Sequence, residues 1–133
     1  MTNMTTLKTI ILAGLLSMGL ACGYSKPATT PPAAGTTPTV TALAPNSMAA
    51  GSSSFVLTVN GTNFNGNAAI NWNSVAQTTT HVSGAQLTAT IPASDVATAG
   101  TVTVTVTNPG TAGGIYGGGT MAQTSNSMTF TIN

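Results

Sequence analysis

Residues 101–107 read Thr-Val-Thr-Val-Thr-Val-Thr, an unbroken alternation of hydroxyl and apolar side chains. Successive side chains of a β-strand point to opposite faces of the sheet, so this run predicts a strand with one dry face and one hydroxyl face. Similar alternation occurs at 54–60, 70–73, 86–91 and 128–132. A hydrophobic period of two along the chain beyond residue 38 predicts an all-β fold.

Two further strands are predicted around 40–43 and 75–81, which brings the total to about seven. Turn dipeptides fall between the runs, among them Asn60-Gly61 and Asn65-Gly66. About seven short alternating strands with regular turns indicate an immunoglobulin-like β-sandwich. A single helical turn is expected within 93–98.

The dry faces of these strands give the predicted core. It comprises Phe55, Leu57, Val59, Phe64, Ile70, Trp72, Leu87, Ile91, Val102, Val104, Val106 and Phe130. Trp72 shares a face with Ile70, which favours packing in the core. The alternative for its ring is an exposed platform on which a sugar stacks.

Several linked motifs resemble the IPT/TIG domains, an immunoglobulin-like family of the E-set type. They are PTVTALAPNS (38–47), FVLTVNGTNF (55–64), AINWN (69–73), QLTATIPA (86–93), VTVTVTNPG (102–110) and SMTFTI (127–132). The resemblance spans nearly all of 38–133, and it departs at 111–124, which is longer and richer in glycine. It implies a surface-receptor or spacer module, since the DNA-gripping members of the family use basic residues and this domain has no Arg.

Residues 1–21 are predicted to be a signal peptide, because Lys8 precedes an apolar run of 12 residues, 10–21. A membrane-spanning helix needs about 20 such residues. Cys22 follows directly, and Gly-Leu-Ala-Cys resembles the lipobox of bacterial lipoproteins, although Leu20 lies one position later than the family favours. A lone cysteine cannot form an internal disulfide. Lipid attachment at Cys22 is therefore expected, with secretion of a free-thiol protein as the alternative.

The segment 22–37 is expected to be the anchored Cys22 followed by a flexible tether. It consists almost entirely of Pro, Thr, Ala, Gly and Ser, which offer too little apolar bulk to offset the entropy of ordering the chain. Prolines favour an extended conformation, so the tether is predicted to act as a spacer between the lipid and the domain at 38–133.

Only 2% of the residues carry a full charge, namely Lys8, Lys26 and Asp95. This composition argues against nucleic acid as a partner, against a metal site and against a cofactor. His81 is expected to pack half-buried, and Asp95 to bond backbone N–H groups in a local turn. No G-x-S-x-G turn accompanies them, so an enzyme is not expected.

Ile115 and Tyr116 stand between glycines in the 111–124 loop and form the candidate binding loop. The alternative is that this apolar pair folds back on the sandwich. Two functions remain: an envelope module, on the outer membrane or cell surface, that docks to another envelope protein or serves as a spacer, and a neutral glycan-binding module. The first is favoured because at most one aromatic residue is expected to be exposed.

Overall fold

The computed structural model describes residues 32–115 and 117–133. The predicted signal peptide, the Cys22 anchor and Tyr116 lie outside the described residues. Within those residues, no helix has the length and apolar character needed to cross a membrane.

Ten strands and one 3-10 turn make up the described part of the chain. They are β1 Thr39–Ala44, β2 Ser47–Met48, β3 Phe55–Thr62, β4 Ala69–Trp72, β5 Val75–Ala76, β6 Thr79–Ser83, β7 Gln86–Ile91, the 3-10 turn Ala93–Val96, β8 Gly100–Asn108, β9 Gln123–Thr124 and β10 Met128–Ile132. The expected single helical turn is thus present.

The strands form two sheets. The first has the order β1-β3-β7-β6, and the second has the order β2-β10-β8-β4-β5, with β9 also paired to β8. All pairs are antiparallel except β2 with β10. The predicted all-β, immunoglobulin-like sandwich is confirmed.

Buried apolar side chains from both sheets form one core between them. Ten of the twelve residues predicted for the core are buried, and Phe55 and Val102 are half-buried against it. Six further hydrophobic residues of this core were not in the predicted set: Val40, Leu43, Ala68, Ala89, Val96 and Ile132. The alternation that defines the strands therefore also sorts most side chains to the correct face.

The expected turn at Asn60-Gly61 is absent, because both residues lie inside β3. A Cβ atom on Gly61 would collide with the carbonyl of Thr39 and the ring of Phe64. Glycine is thus needed for close approach of two strands rather than for a turn. The chain reverses at the second predicted site, where the Ala68 N–H donates to the Asn65 carbonyl at 2.9 Å.

The strand predicted over 75–81 is two strands in different sheets, β5 and β6. The Thr79 hydroxyl accepts a hydrogen bond from the Ile70 N–H at 2.8 Å and donates to the Gln77 carbonyl at 2.9 Å. This hydroxyl thus satisfies two backbone groups where the chain crosses from one sheet to the other. The alternation of apolar and polar residues does not encode such a crossing.

The sandwich has two distinguishable ends. At the entry end, β1 begins and β3 finishes, as the Thr39–Thr62 pairing places them together. At the far end, β3 begins and β7 ends, since Phe55 pairs with Ile91. The 3-10 turn follows Ile91 along the chain and lies at this end too. The last residues of β10 lie at the far end too, where Ile132 pairs with Gly100. β1 therefore begins at one end of the sandwich, and β10 ends at the other.

Candidate functional site

His81 and Asp95 are not brought together. His81 pairs with Leu87 near the start of β7, whereas Asp95 follows the end of that strand at Ile91. Within the described residues, no three His, Cys, Asp or Glu side chains form a group that could hold a metal ion. The His81 ring is exposed rather than half-buried, with its Nε2 atom 3.3 Å from the Phe64 carbonyl oxygen. These side chains do not form a Ser-His-Asp arrangement.

Asp95 does not cap the local turn as expected. Its carboxylate accepts a hydrogen bond from the Ser94 hydroxyl at 3.4 Å, and the backbone N–H of Asp95 donates to the Pro92 carbonyl at 3.0 Å. Among the described residues, Asp95 is the only side chain with a full charge at neutral pH. The charge of the domain is therefore concentrated at its far end.

Trp72 belongs to the core, with 4% of its surface exposed. Its ring centroid lies 4.9 Å from that of Phe130 and 6.3 Å from that of Phe55. Such aromatic contacts stabilise a core beyond simple burial of area. The alternative of a sugar-stacking platform at Trp72 does not match this burial.

A cleft of about 250 Å³ opens toward the far end, and we name it the distal cleft. Its lining residues are Trp72, Asn73, Val75, Asp95 and Val102. Asn73 and Ser74 turn the chain between β4 and β5 with φ angles of 48° and 70°, and Val75 emerges from this turn with 62% of its surface exposed. The cleft combines an exposed valine, an amide and the carboxylate of Asp95, a combination suited to a neutral partner that donates hydrogen bonds.

A second groove, of about 430 Å³, runs across the outer face of the first sheet. Val56 lies beside hydroxyl side chains there, with 57% of its surface exposed. The other residues lining the groove are Thr78, Thr80, Thr88, Ala89 and Thr90. This surface carries no charged side chain, and it offers a partner the neutral hydroxyl groups of the threonines beside the apolar Val56.

Residues 111–115 and 117–121 form a hairpin with hydrogen bonds between its two arms, which we name the glycine hairpin. Thr111 and Thr120 exchange backbone hydrogen bonds of 3.0 and 3.1 Å, and their hydroxyl oxygens lie 3.1 Å apart. Near the tip, the Gly117 N–H donates to the Gly114 carbonyl at 2.9 Å. Ile115 is 95% exposed, so it does not fold back on the sandwich. Its predicted companion Tyr116 lies outside the described residues.

The last part of the predicted tether lies against the domain. Ala33 pairs in parallel with Thr120, since its N–H donates to the Gly119 carbonyl at 3.1 Å and its carbonyl accepts from the Met121 N–H at 2.9 Å. Four residues later, the Thr37 hydroxyl donates to Gln123 Oε1 at 3.2 Å. Over these residues the structure differs from a free spacer, because the hairpin supplies partners for the backbone groups of Ala33 and Gln123 supplies one for the Thr37 hydroxyl.

Two asparagines with structural roles were not anticipated. Asn108, 1% exposed, stands directly before Pro109, and its side chain joins three backbone segments. The Asn126 amide bonds both backbone groups of Val40 at 2.9 Å and so ties β1 to the segment before β10. An asparagine next to a proline could have signalled a strand end, but the sequence around Asn126 has no comparable signal.

The comparison with known families matches residues 38–132 to the IPT/TIG domain. This match confirms the resemblance carried by the six motifs. Comparisons with curated proteins and with solved structures give no match.

Proposed function

Because the chain belongs to the IPT/TIG domain family over residues 38–132, we propose that it is a non-enzymatic protein-interaction module of the bacterial cell envelope. Domains of this family are immunoglobulin-like modules that often act in protein interaction. In the proposal, residues 1–21 direct export and Cys22 carries the lipid that holds the protein on its membrane. Several acyl chains on one residue suffice for stable anchoring, since two hydrophobic signals already do.

One observation carries the proposal: the distal cleft and Ala33, which belongs to the described end of the segment after Cys22, lie toward opposite ends of the sandwich. Ala33 enters beside the glycine hairpin at the entry end, and Asp95 lies at the far end. The nine residues of β8 run between these ends, a length of about 30 Å at the usual rise per residue of a strand. An anchored protein would therefore present the cleft away from the lipid surface.

The chemistry of the distal cleft favours a protein partner with an apolar side chain and N–H or O–H donors. Val75 provides exposed apolar area, and Asp95 provides a charged acceptor, which strengthens a hydrogen bond from a neutral donor. A single full charge on the domain gives little long-range steering. Complex formation should accordingly depend on shape and hydrogen bonding more than on ionic strength.

The glycan-binding alternative has less support. Stacking of a sugar requires an aromatic face open to solvent, and Trp72 is 4% exposed. The threonine-lined groove on the first sheet offers hydroxyl groups without an aromatic residue. A neutral glycan therefore remains the second candidate, with this groove as its site.

The proposal is tested by placing a photo-crosslinking amino acid at Val75 in the full-length protein, in cells of the source organism. A matched variant carries it at Val82, a valine with 54% exposure on β6. We expect a discrete protein adduct from position 75 that is absent from position 82 and weakened by Asp95→Asn. Equal adducts from both positions, or none from position 75, would contradict the proposal. Glycan-array binding that survives Val75→Asp would favour the alternative.

A further inference from the structure

The direction in which the chain runs at Ala33 can be compared with the direction of the glycine hairpin. Ala33 and Thr120 are paired in parallel. Moving from Ala33 toward the N-terminus therefore follows the same direction as moving from Thr120 back toward Ile115. Cys22 precedes Ala33 by 11 residues, which span at most about 40 Å when fully extended. At Ala33 the chain therefore runs beside the hairpin, and its N-terminal direction is toward the hairpin tip.

The hairpin has the properties of a surface that can enter an apolar environment. Ile115 is 95% exposed, and Met121 on the returning arm is 59% exposed. Backbone groups near the tip are paired through the Gly117–Gly114 hydrogen bond, and the hydroxyls of Thr111 and Thr120 face each other. Paired polar groups reduce the cost of losing water.

The distribution of charge on the domain does not oppose contact between the hairpin and an apolar environment. The hairpin has no charged side chain, and Asp95, the only fully charged side chain among the described residues, lies at the far end. A charged group near the tip would have to be desolvated or moved aside. The end of the domain nearest the anchor is thus also the end with the lowest barrier to contact with lipid.

We propose that the glycine hairpin is a lipid-contact element whose Ile115 side chain enters the interfacial region of the bilayer that holds Cys22. The inference rests on the anchor of the proposed function and assigns the candidate binding loop to lipid rather than to a protein. One isoleucine would not hold a free protein on a membrane. In an anchored protein the contact is intramolecular, and a short linker gives a high effective concentration that makes a weak contact sufficient.

The test uses the full-length, lipid-bearing protein in vesicles of phosphatidylcholine, a neutral lipid that removes any contribution from Lys26. Ile115→Trp adds a fluorophore at the hairpin, and Val75→Trp adds one at the distal cleft. Native Trp72 is buried, and because Val75 pairs with it, the unsubstituted protein in the same vesicles is measured as the background for each variant. Both replaced side chains are mostly exposed, so equal unfolding temperatures are expected and serve as the folding control.

We expect the emission of Ile115→Trp to shift to shorter wavelength in vesicles and to be quenched by lipids brominated on their acyl chains, with no change for Val75→Trp. A protein that floats with vesicles while Ile115→Trp stays unquenched would overturn the lipid contact and leave the anchor intact. Quenching of Val75→Trp instead would overturn both the lipid contact and the orientation of the proposed function. A protein that does not float would overturn the anchor and the lipid contact together.

Discussion

The side-chain amide of Asn108 donates a hydrogen bond to the carbonyl oxygen of Thr36 at 2.8 Å. The same amide nitrogen donates to the Asn63 carbonyl at 2.8 Å, and its oxygen accepts from the Asn65 N–H at 3.0 Å. A single buried side chain thus joins the end of β8, the turn after β3 and the segment that leads to the anchor. This junction fixes where the chain enters the domain, on which the orientation argument depends.

We expect Asn108→Ala to lower the free energy of unfolding by roughly 2–4 kcal/mol, because buried backbone groups lose their partners. Urea denaturation of the domain measures the change. The control is Asn71→Ala, which removes hydrogen bonds of 3.3 and 2.9 Å to the hydroxyls of Thr105 and Thr107. These partners can rebind water, so its cost should stay below about 1 kcal/mol. Equal costs for the two variants would show that Asn108 is not a junction.

Gly61→Ala should lower stability by about 1–3 kcal/mol, the usual cost of adding atoms to a packed region. The added Cβ would meet the backbone of Thr39 and the ring of Phe64. Gly66→Ala is the matched variant, since nothing lies within 4 Å of its added Cβ, and it should change stability by less than about 1 kcal/mol. The unfolding temperatures of the two variants show whether glycine is required for the close packing of two strands at position 61 or for the geometry of a turn at position 66. A neutral Gly61→Ala would contradict the packing described here.

Much of the fold follows from the alternation of apolar and polar residues along the sequence. The period-two alternation of 101–107 corresponds to β8, with Val104 and Val106 buried and Thr103 exposed. Burial of Val102 is incomplete because the residue borders the distal cleft. Strand identity and the inward face are local properties of alternating side chains, so the sequence alone predicts them well.

Other features of the fold depend on contacts between segments that are far apart in the sequence. The local alternation of residues does not encode these contacts. Asn60-Gly61 resembles a turn, but the approach of Thr39 keeps it in a strand. The position of Asn126 opposite Val40 joins residues 86 positions apart. Likewise, the pairing of Ala33 with Thr120 holds the described end of the proline-rich tether against the glycine hairpin. Sequence indicated Ile115 as a candidate contact, but its place beside the anchor segment required the topology.

Trp72→Ala should cost about 3–5 kcal/mol, as for other large aromatic residues removed from a core. The ring contacts Phe55 and Phe130, and the loss is large against a total stability of about 5–15 kcal/mol. Trp72→Phe keeps an aromatic ring at the same place and should cost less. The denaturant concentrations at which half of each variant is unfolded measure the difference in stability between them. A fully stable Trp72→Ala that loses a ligand would instead assign Trp72 to a binding surface.

Cys22→Ser should release the protein from membranes, because the proposed lipid is attached at Cys22, the single cysteine of the sequence. Partition between detergent and aqueous phases measures the effect, with the wild-type chain in the detergent phase. A change of Ser25 to Ala, three residues later, is the control and should leave partition unaltered. A Cys22→Ser protein that still enters the detergent phase would contradict lipid attachment at Cys22.

The most direct test of the account is the orientation of the anchored domain, measured by energy transfer from a dye on the protein to acceptors in the bilayer. One dye is placed at Ile115 and the other at Ala97, an exposed residue just after the 3-10 turn. The account predicts strong transfer from position 115 and weak transfer from position 97. The nine residues of β8, about 30 Å long, run between the two ends at which these positions lie. Equal transfer from both positions, or stronger transfer from position 97, would contradict a module that faces its membrane with the hairpin and its partner with the distal cleft.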